Sequence, residues 1–374
     1  MKILLFANTD WYLYNFRLPL AKALRARGAD VTLLSPPGEY AARLQADGFR
    51  WLAFPLNRKG MNPLAELVTI LRLARLYRRE RPDLVHHFTV KPVLYGSLAA
   101  RLAGVPAVVN SITGLGYLFL GGGTRRRLLR TLARALYRVS LGGTRVIFQN
   151  EDDRRAFLDL HLARPEQADL VPGSGVDVTR FVPAPEPEGT PVVLLAARLL
   201  WDKGVGEFVE AARRLTVRGV TAHFILAGDS DAANPAAVPP EQLRAWQEEG
   251  VVEWQGWQDD MPAVLAGASV FCLPSYREGL SKTLAEAAAC GRAIVTTDAP
   301  GCRDVVAHGV NGLLVPPRDA GALAEAIASL LADPSLRRKM GAAGRRIAEE
   351  RFSIEKVVGG TLDVYRQAGL KGLS

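Results

Sequence analysis

Four charged residues carry most of the chemistry this chain could do. Arg198 and Lys203 lie five residues apart in "ARLLWDKGV", straddling a turn that ends in Gly204. A planar guanidinium fork and an ammonium point charge fixed in one turn suit a diphosphate. The plain alternative has Arg198 capping a loop and Lys203 in solvent. Glu278 and Glu286 lie eight residues apart in "SYREGLSKTLAEAAACGRAIVTTDAPG". Gly279 gives a flexible turn, and a helix starting near Ser281 or Lys282 would offer backbone N–H groups to an anion. Glu286, within the third turn, would accept from vicinal hydroxyls, as acidic residues do with ribose. Otherwise Glu278 is a helix cap and Glu286 a surface charge, but an idle charge inside "TLAEAAACG" is costly. The set fits a sugar–phosphate–ribose ligand.

The elements that must position these residues alternate along the whole chain. Strands are expected at MKILLFA, ADVTLLSP, WLAFPL, LVHHF, AVVNSI and RVIFQN, then at VVLLAAR, HFILAGD, VEWQGW, SVFCLPS, AIVTTD and GLLVPP. Amphipathic helices intervene, among them residues 17–28, 64–80, 206–218, 283–291 and 319–332. Short apolar strands separated by helices imply parallel sheets covered on both faces. "VPAPEPEGTP" (182–191) has four prolines and no apolar periodicity, which suits a linker. The expected organisation is a first domain at 1–181, the linker, a second domain at 192–352, and a terminal helix in 353–374 that packs back on the first domain. In doubly wound domains ligands lie at the carboxyl ends of the strands, and each motif above follows a strand.

Composition narrows the function classes. The 374 residues are 48% hydrophobic and 23% charged, an ordinary globular balance. Three cysteines, Cys272, Cys290 and Cys302, are too few and too irregular for a disulfide framework or a zinc knuckle. The apolar start is too short for a signal peptide and no later run approaches a membrane span, so a cytoplasmic location is expected. Charge is uneven. Residues 1–187 hold 27 Lys and Arg against 15 Asp and Glu, while residues 188–374 hold 20 against 23. One half therefore suits an anionic partner and the other does not.

Glu278 and Glu286 with this spacing, upstream Arg198 and Lys203, and downstream "HGVNGLLVPP" resemble glycosyltransferase family 4. The resemblance implies an α/β chain of GT-B fold, two Rossmann-like domains facing a cleft, and a retaining hexosyltransferase. It further implies that Arg198 and Lys203 bind the donor diphosphate and Glu286 the ribose. Glu278 would contact the transferred sugar, and backbone at Gly279, Leu280, Ser281 and Lys282 the distal phosphate. Many members have glycine where this chain has Ser281, and a small or apolar residue at Lys282. Those two could add a hydroxyl and a third cation. No His/Cys cluster suggests a metal site, and no cofactor is expected beyond a UDP-sugar donor.

Acceptor contacts are expected in the first half. After the first strand the chain reads "TDWYLYNF", crowded with aromatic and polar bulk where a nucleotide fold would place glycines. Asp10, Trp11, Tyr12 and Asn15 are read as sugar contacts, ring faces and polar groups together. His86 and His87 face opposite sides of a strand, so at most one meets a ligand, and core histidines are the commoner case. Lys91 is read in a loop that could meet an acceptor phosphate. Family members often have a histidine after the strand AVVN; here Ser111, Ile112 and Thr113 follow, so Thr113 is the candidate. In "GTRRRLLRTLARALYRVSLGG", Arg126, Arg130, Arg134 and Arg138 recur every four residues beside Leu128, Leu132, Leu136 and Val139. That is either a surface helix packed by its leucines or an interfacial helix on anionic lipid. The opening turn and "HHFTVKPVLYGSLAARLAG" add a resemblance to bacterial N-acetylhexosaminyltransferases acting on undecaprenyl-diphosphate glycans. A lipid-linked saccharide acceptor and a peripheral position on the inner face of the cytoplasmic membrane follow from it. A soluble acceptor is the enzymatic alternative. Nucleic-acid binding would explain the charge, but no recognition motif supports it.

Overall fold

The computed structural model describes residues 1–57, 60, 62–114, 124–231, 234–370 and 372, with the backbone alone for 124–130. The chain divides into two units: Met1–Ser174 with Ile354–Ser374, and Gly175–Ser353.

The first unit holds a seven-stranded parallel sheet in the order β3-β2-β1-β4-β5-β6-β7. Its strands are β1 (Lys2–Phe6), β2 (Asp30–Ser35), β3 (Arg50–Ala53), β4 (Leu84–Phe88), β5 (Ala107–Ile112), β6 (Arg145–Phe148) and β7 (Ala168–Leu170). The central strands are buried on both faces: every residue from Ile3 to Phe6 and from Leu84 to Phe88 is buried. That burial is why β1 reads as a continuous apolar run rather than an alternating one. β7 was not expected, because Ala-Asp-Leu carries no apolar run; it exists by pairing with β6 at the sheet edge. The helix Ile354–Gln367 belongs to this unit and buries Val357, Val358, Leu362 and Tyr365 in its core.

The second unit holds a six-stranded parallel sheet, β10-β9-β8-β11-β12-β13. The strands are β8 (Val192–Ala196), β9 (His223–Ala227), β10 (Glu253–Gly256), β11 (Val270–Leu273), β12 (Ala293–Thr297) and β13 (Gly312–Val315). The change of unit falls at Ser174/Gly175, earlier than the proline-rich 182–191 segment. That segment is tied to the second unit. Arg337, 5% exposed, forks onto Glu186 at 2.7 and 3.0 Å, and Arg292 donates to the Ala184 carbonyl. Prolines stop a helix or a strand, but side chains from elsewhere still dock the segment. All three cysteines are buried thiols.

In each sheet the winding direction reverses once, between β1 and β4 and between β8 and β11. These are the places where adjacent connections leave in opposite directions and open a crevice at the strand ends.

Candidate functional site

The switch point of the second unit brings together the charged residues of the two motifs. Arg198 and Lys203 follow β8, and Glu278 follows β11, its sheet neighbour. Lys203 Nζ lies 2.5 Å from Glu278 Oε1, both side chains largely buried, so the two loops are joined by an ion pair. Close backbone contact holds them in register. Gly204 has φ 75° and packs on Pro274, where a Cβ would collide with the carbonyl. Gly301, φ 76°, meets the Glu278 carbonyl in the same way, and the Glu278 N–H donates to Pro300 at 2.9 Å. Neither position admits a side chain.

Ser281 caps the helix Lys282–Ala289, its Oγ accepting from the Leu284 N–H at 3.4 Å. The Ser281 N–H donates to the Gly301 carbonyl, so of the expected phosphate donors at 279–282 this one is already engaged. Glu286 is 5% exposed, one turn further along, with Lys282 Nζ at 3.5 Å. Burial raises its carboxyl pKa, while Lys282 and Arg180 oppose the rise. The side chain is therefore not a surface charge. Arg198 is half exposed and meets Asp231 at 3.6 Å. Arg198, Lys203 and Lys282 are thus each set against a carboxylate, which orients them. Sequence reasoning missed Tyr276, whose hydroxyl donates to Glu207 Oε1 at 2.5 Å while Arg318 stacks 4.6 Å over its ring. Glu207 lies in the first turn of the helix Val205–Val217 and the other two in separate loops, and no spacing announces them.

The first unit corrects several expectations. Asp10 is 5% exposed, and its carboxylate accepts from the N–H groups of Trp11, Tyr40 and Ala41 at 2.8–2.9 Å. It holds the start of the helix Ala41–Ala46 and presents no surface to a sugar. The Asn15 amide donates to the Trp11 carbonyl one turn back, at 3.0 Å. His86 is core: Nδ1 meets the Tyr365 hydroxyl at 2.8 Å and Nε2 the Ser111 hydroxyl at 2.7 Å. His87 is core too, between Asn110 and Tyr77. Burial depresses both imidazoles, His87 to about 4. Lys91 is not in a loop. It lies in the first turn of the helix Val90–Ala103, paired with Glu66 at 2.6 Å and donating to the Asn57 and Gly60 carbonyls. Trp11 and Tyr12 remain half-buried, both against Phe16, and Thr113 directly follows β5.

In the helix Thr124–Leu141 the arginine stripe is only partly outward. Arg138 donates to the Leu160 and His161 carbonyls, and Arg134 Nε is buried, while the side chains of Arg126 and Arg130 lie outside the described residues. Tyr137 and Leu141 make the buried face; Leu132 and Val139, expected to pack inward, are 66% and 53% exposed. A four-residue period keeps one face only approximately on a 3.6-residue helix. Among the described residues no His, Cys, Asp and Glu group is placed to hold a metal ion.

Residues 2–151 match the family model "Glycosyl transferase 4-like", and residues 190–333 match "Glycosyl transferases group 1". Over 351 residues the chain is 31% identical to the N,N'-diacetylbacillosaminyl-diphospho-undecaprenol alpha-1,3-N-acetylgalactosaminyltransferase of Campylobacter jejuni, covering 90% of this chain and 91% of that one. The chain belongs to the family 4 glycosyltransferases. This glycosyltransferase is also 24% identical, over 78% of its length and 77% of the relative's, to the UDP-Gal:alpha-D-GlcNAc-diphosphoundecaprenol alpha-1,3-galactosyltransferase of Escherichia coli. A glycosyltransferase from Rickettsia africae superposes with a TM-score of 0.82 at 17% identity, covering 99% of each chain. Anabaena HepE in complex with UDP gives 0.79 at 19% identity, covering 98% of this chain and all of that one. Identities this low speak to the fold, which is GT-B.

Proposed function

We propose that this enzyme transfers an N-acetylhexosamine from a UDP-sugar to a saccharide carried on a polyprenyl diphosphate, in surface glycan biosynthesis. The observation that carries the reading is the Campylobacter relative, similar over nine-tenths of both chains, whose name specifies that class of donor group and acceptor. A UDP donor is supported by the Escherichia coli relative's name and by UDP on the Anabaena neighbour.

The charge arrangement supplies a mechanism. Arg198 and Lys203 hold the donor diphosphate and take up its charge as the anomeric C–O bond lengthens. Glu286 accepts from the ribose hydroxyls, and Glu278, fixed by Lys203, accepts from the sugar. The acceptor hydroxyl attacks on the face the diphosphate leaves, its oxygen bonding the anomeric carbon and its proton passing to the departing phosphate oxygen. Configuration is retained and no protein base is required. Leaving-group charge is met by side chains, so the reaction is expected to proceed in EDTA.

A peripheral site on the inner face of the cytoplasmic membrane fits the first unit. Among the described residues no helix is long and apolar enough to cross a membrane. The helix Pro63–Glu80 instead exposes Leu64, Leu67, Val68 and Leu71 at a spacing of one helical face, with Arg72 and Arg75 exposed beside them. The deciding experiment offers a panel of UDP-sugars with lipid-diphosphate saccharides and reads product mass and anomeric configuration. Turnover of soluble acceptors alone would overturn the reading.

A further inference from the structure

The first unit carries a buried cation that has no counter-charge among the described residues. The turn after β1 is a short helical segment, Asp10–Tyr12, that widens into a π turn over Leu13–Arg17 before the helix Leu18–Ala26. Such wide turns are rare and recur at functional sites. Arg17, its last residue, is 5% exposed. Among the described residues no carboxylate lies within 4.0 Å of it. Nη2 donates to the Tyr12 hydroxyl at 2.8 Å, and the guanidinium stacks 4.4 Å from the Phe88 ring centre and 5.4 Å from that of Tyr12. Nε is buried without a partner. Burying a cation costs more than stacking on rings recovers, so the rings do not cover the cost of this one.

A second, independent irregularity stands at the same switch point. Thr89 follows Phe88 at the end of β4 with φ 70° and ψ 163°, a conformation that strains any residue but glycine. Its hydroxyl is buried with no partner and caps nothing. The 14-residue helix Val90–Ala103 begins there, so its N-terminal dipole points to the same strand end. An unpaired guanidinium, an unpartnered hydroxyl and an uncapped helix start all favour one kind of ligand, a polyanion.

We propose that Arg17, with Thr89 and the start of the helix Val90–Ala103, forms a diphosphate site in the first unit and holds the diphosphate of the lipid-linked acceptor. The assignment to the acceptor rests on the function proposed above. The donor's own diphosphate shares the chemistry, and the test separates the two.

The probe is inorganic pyrophosphate, titrated calorimetrically into the full chain with saturating UDP present, so that the donor site is filled. Arg17→Met is expected to weaken pyrophosphate binding about 10- to 150-fold, the loss of charge-assisted hydrogen bonds. Acceptor KM should rise by a similar factor, with UDP affinity unchanged and the thermal midpoint held or raised, because the variant removes an unpaired charge. Thr89→Gly relieves the backbone strain and should raise the midpoint while weakening pyrophosphate binding. Parental pyrophosphate affinity in Arg17→Met, or a variant that does not fold, would make Arg17 a structural post and overturn the site. Equal weakening of UDP would overturn the acceptor assignment. If no lipid diphosphate is turned over but pyrophosphate binding still depends on Arg17, the function fails and the anion site stands.

Discussion

Arg198 and Lys203 suit the same chemistry, yet the structure separates the consequences of losing them. Arg198 is half exposed, its pair with Asp231 is long, and surface pairs contribute about 0–1 kcal/mol. Arg198→Ala should leave the thermal midpoint unchanged and weaken UDP-sugar binding about 10- to 150-fold by calorimetry. Lys203 is largely buried against Glu278. Lys203→Met strands that carboxylate and should cost about 3–5 kcal/mol in urea unfolding, more than replacing both partners together. The histidines carry a pH dependence. His87 titrates near 4 when folded, against about 6.5 for a free imidazole, and His86 is depressed in the same direction. The unfolded chain then binds more protons between these values, so stability rises with pH across that window. Moving from pH 7 toward pH 4 should remove about 3 kcal/mol on account of His87, read as a falling urea midpoint. His87→Gln should flatten the slope.

Among the elements, two turns and one helix matter most. The loops after β8 and β11 are fixed to each other by Lys203–Glu278 and by the approach of Gly204 to Pro274, so the residues proposed to hold the donor are preset. Preorganisation of that kind is what a charged transition state rewards. The opening turn, by contrast, is built around Asp10 and the stacking of Tyr12 on Phe16, which positions Arg17. For the helix Pro63–Glu80, Leu67 and Leu71 are 52% and 44% exposed and support nothing beneath them. Leu67→Glu with Leu71→Glu should leave the folded state intact by circular dichroism. Co-sedimentation with anionic liposomes should fall at least about tenfold, since each leucine forfeits about 1.5–3 kcal/mol of apolar burial.

For the whole molecule, the order of the chain is not the order of the units. Residues from Ile354 onward return to the sheet begun at Lys2, and Tyr365 hydrogen-bonds His86 at its centre. Removing residues 354–374 takes Val357, Val358, Leu362, Val364 and Tyr365 out of the core together. At about 1.5–3 kcal/mol each, that loss is as large as the stability of an ordinary domain. The truncated chain should therefore lose the calorimetric transition of the first unit and keep that of Gly175–Ser353. A single transition at the parental temperature would refute the coupling.

Local sequence determined what depends on local physics. Parallel strands buried on both faces are mostly apolar, so all but the three-residue edge strand were legible. The placement of Arg198 and Lys203 after β8 and of Glu278 after β11 was legible as well, because each sits a short fixed distance from a strand end. Arg17 left a trace, since it precedes Ala21 and Leu24 on the stripe that the helix Leu18–Ala26 buries, and a cation on an apolar stripe asks for a partner. What the sequence could not fix was which polar group is consumed by which neighbour. Asp10 is spent on Tyr40 and Ala41, Lys91 on Glu66, and His86 on Ser111 and Tyr365. Those partners lie from 25 to 279 residues away along the chain. A polar residue's role depends on whether its hydrogen bonds are already made, and only the packed sheet and its returning helix decide that.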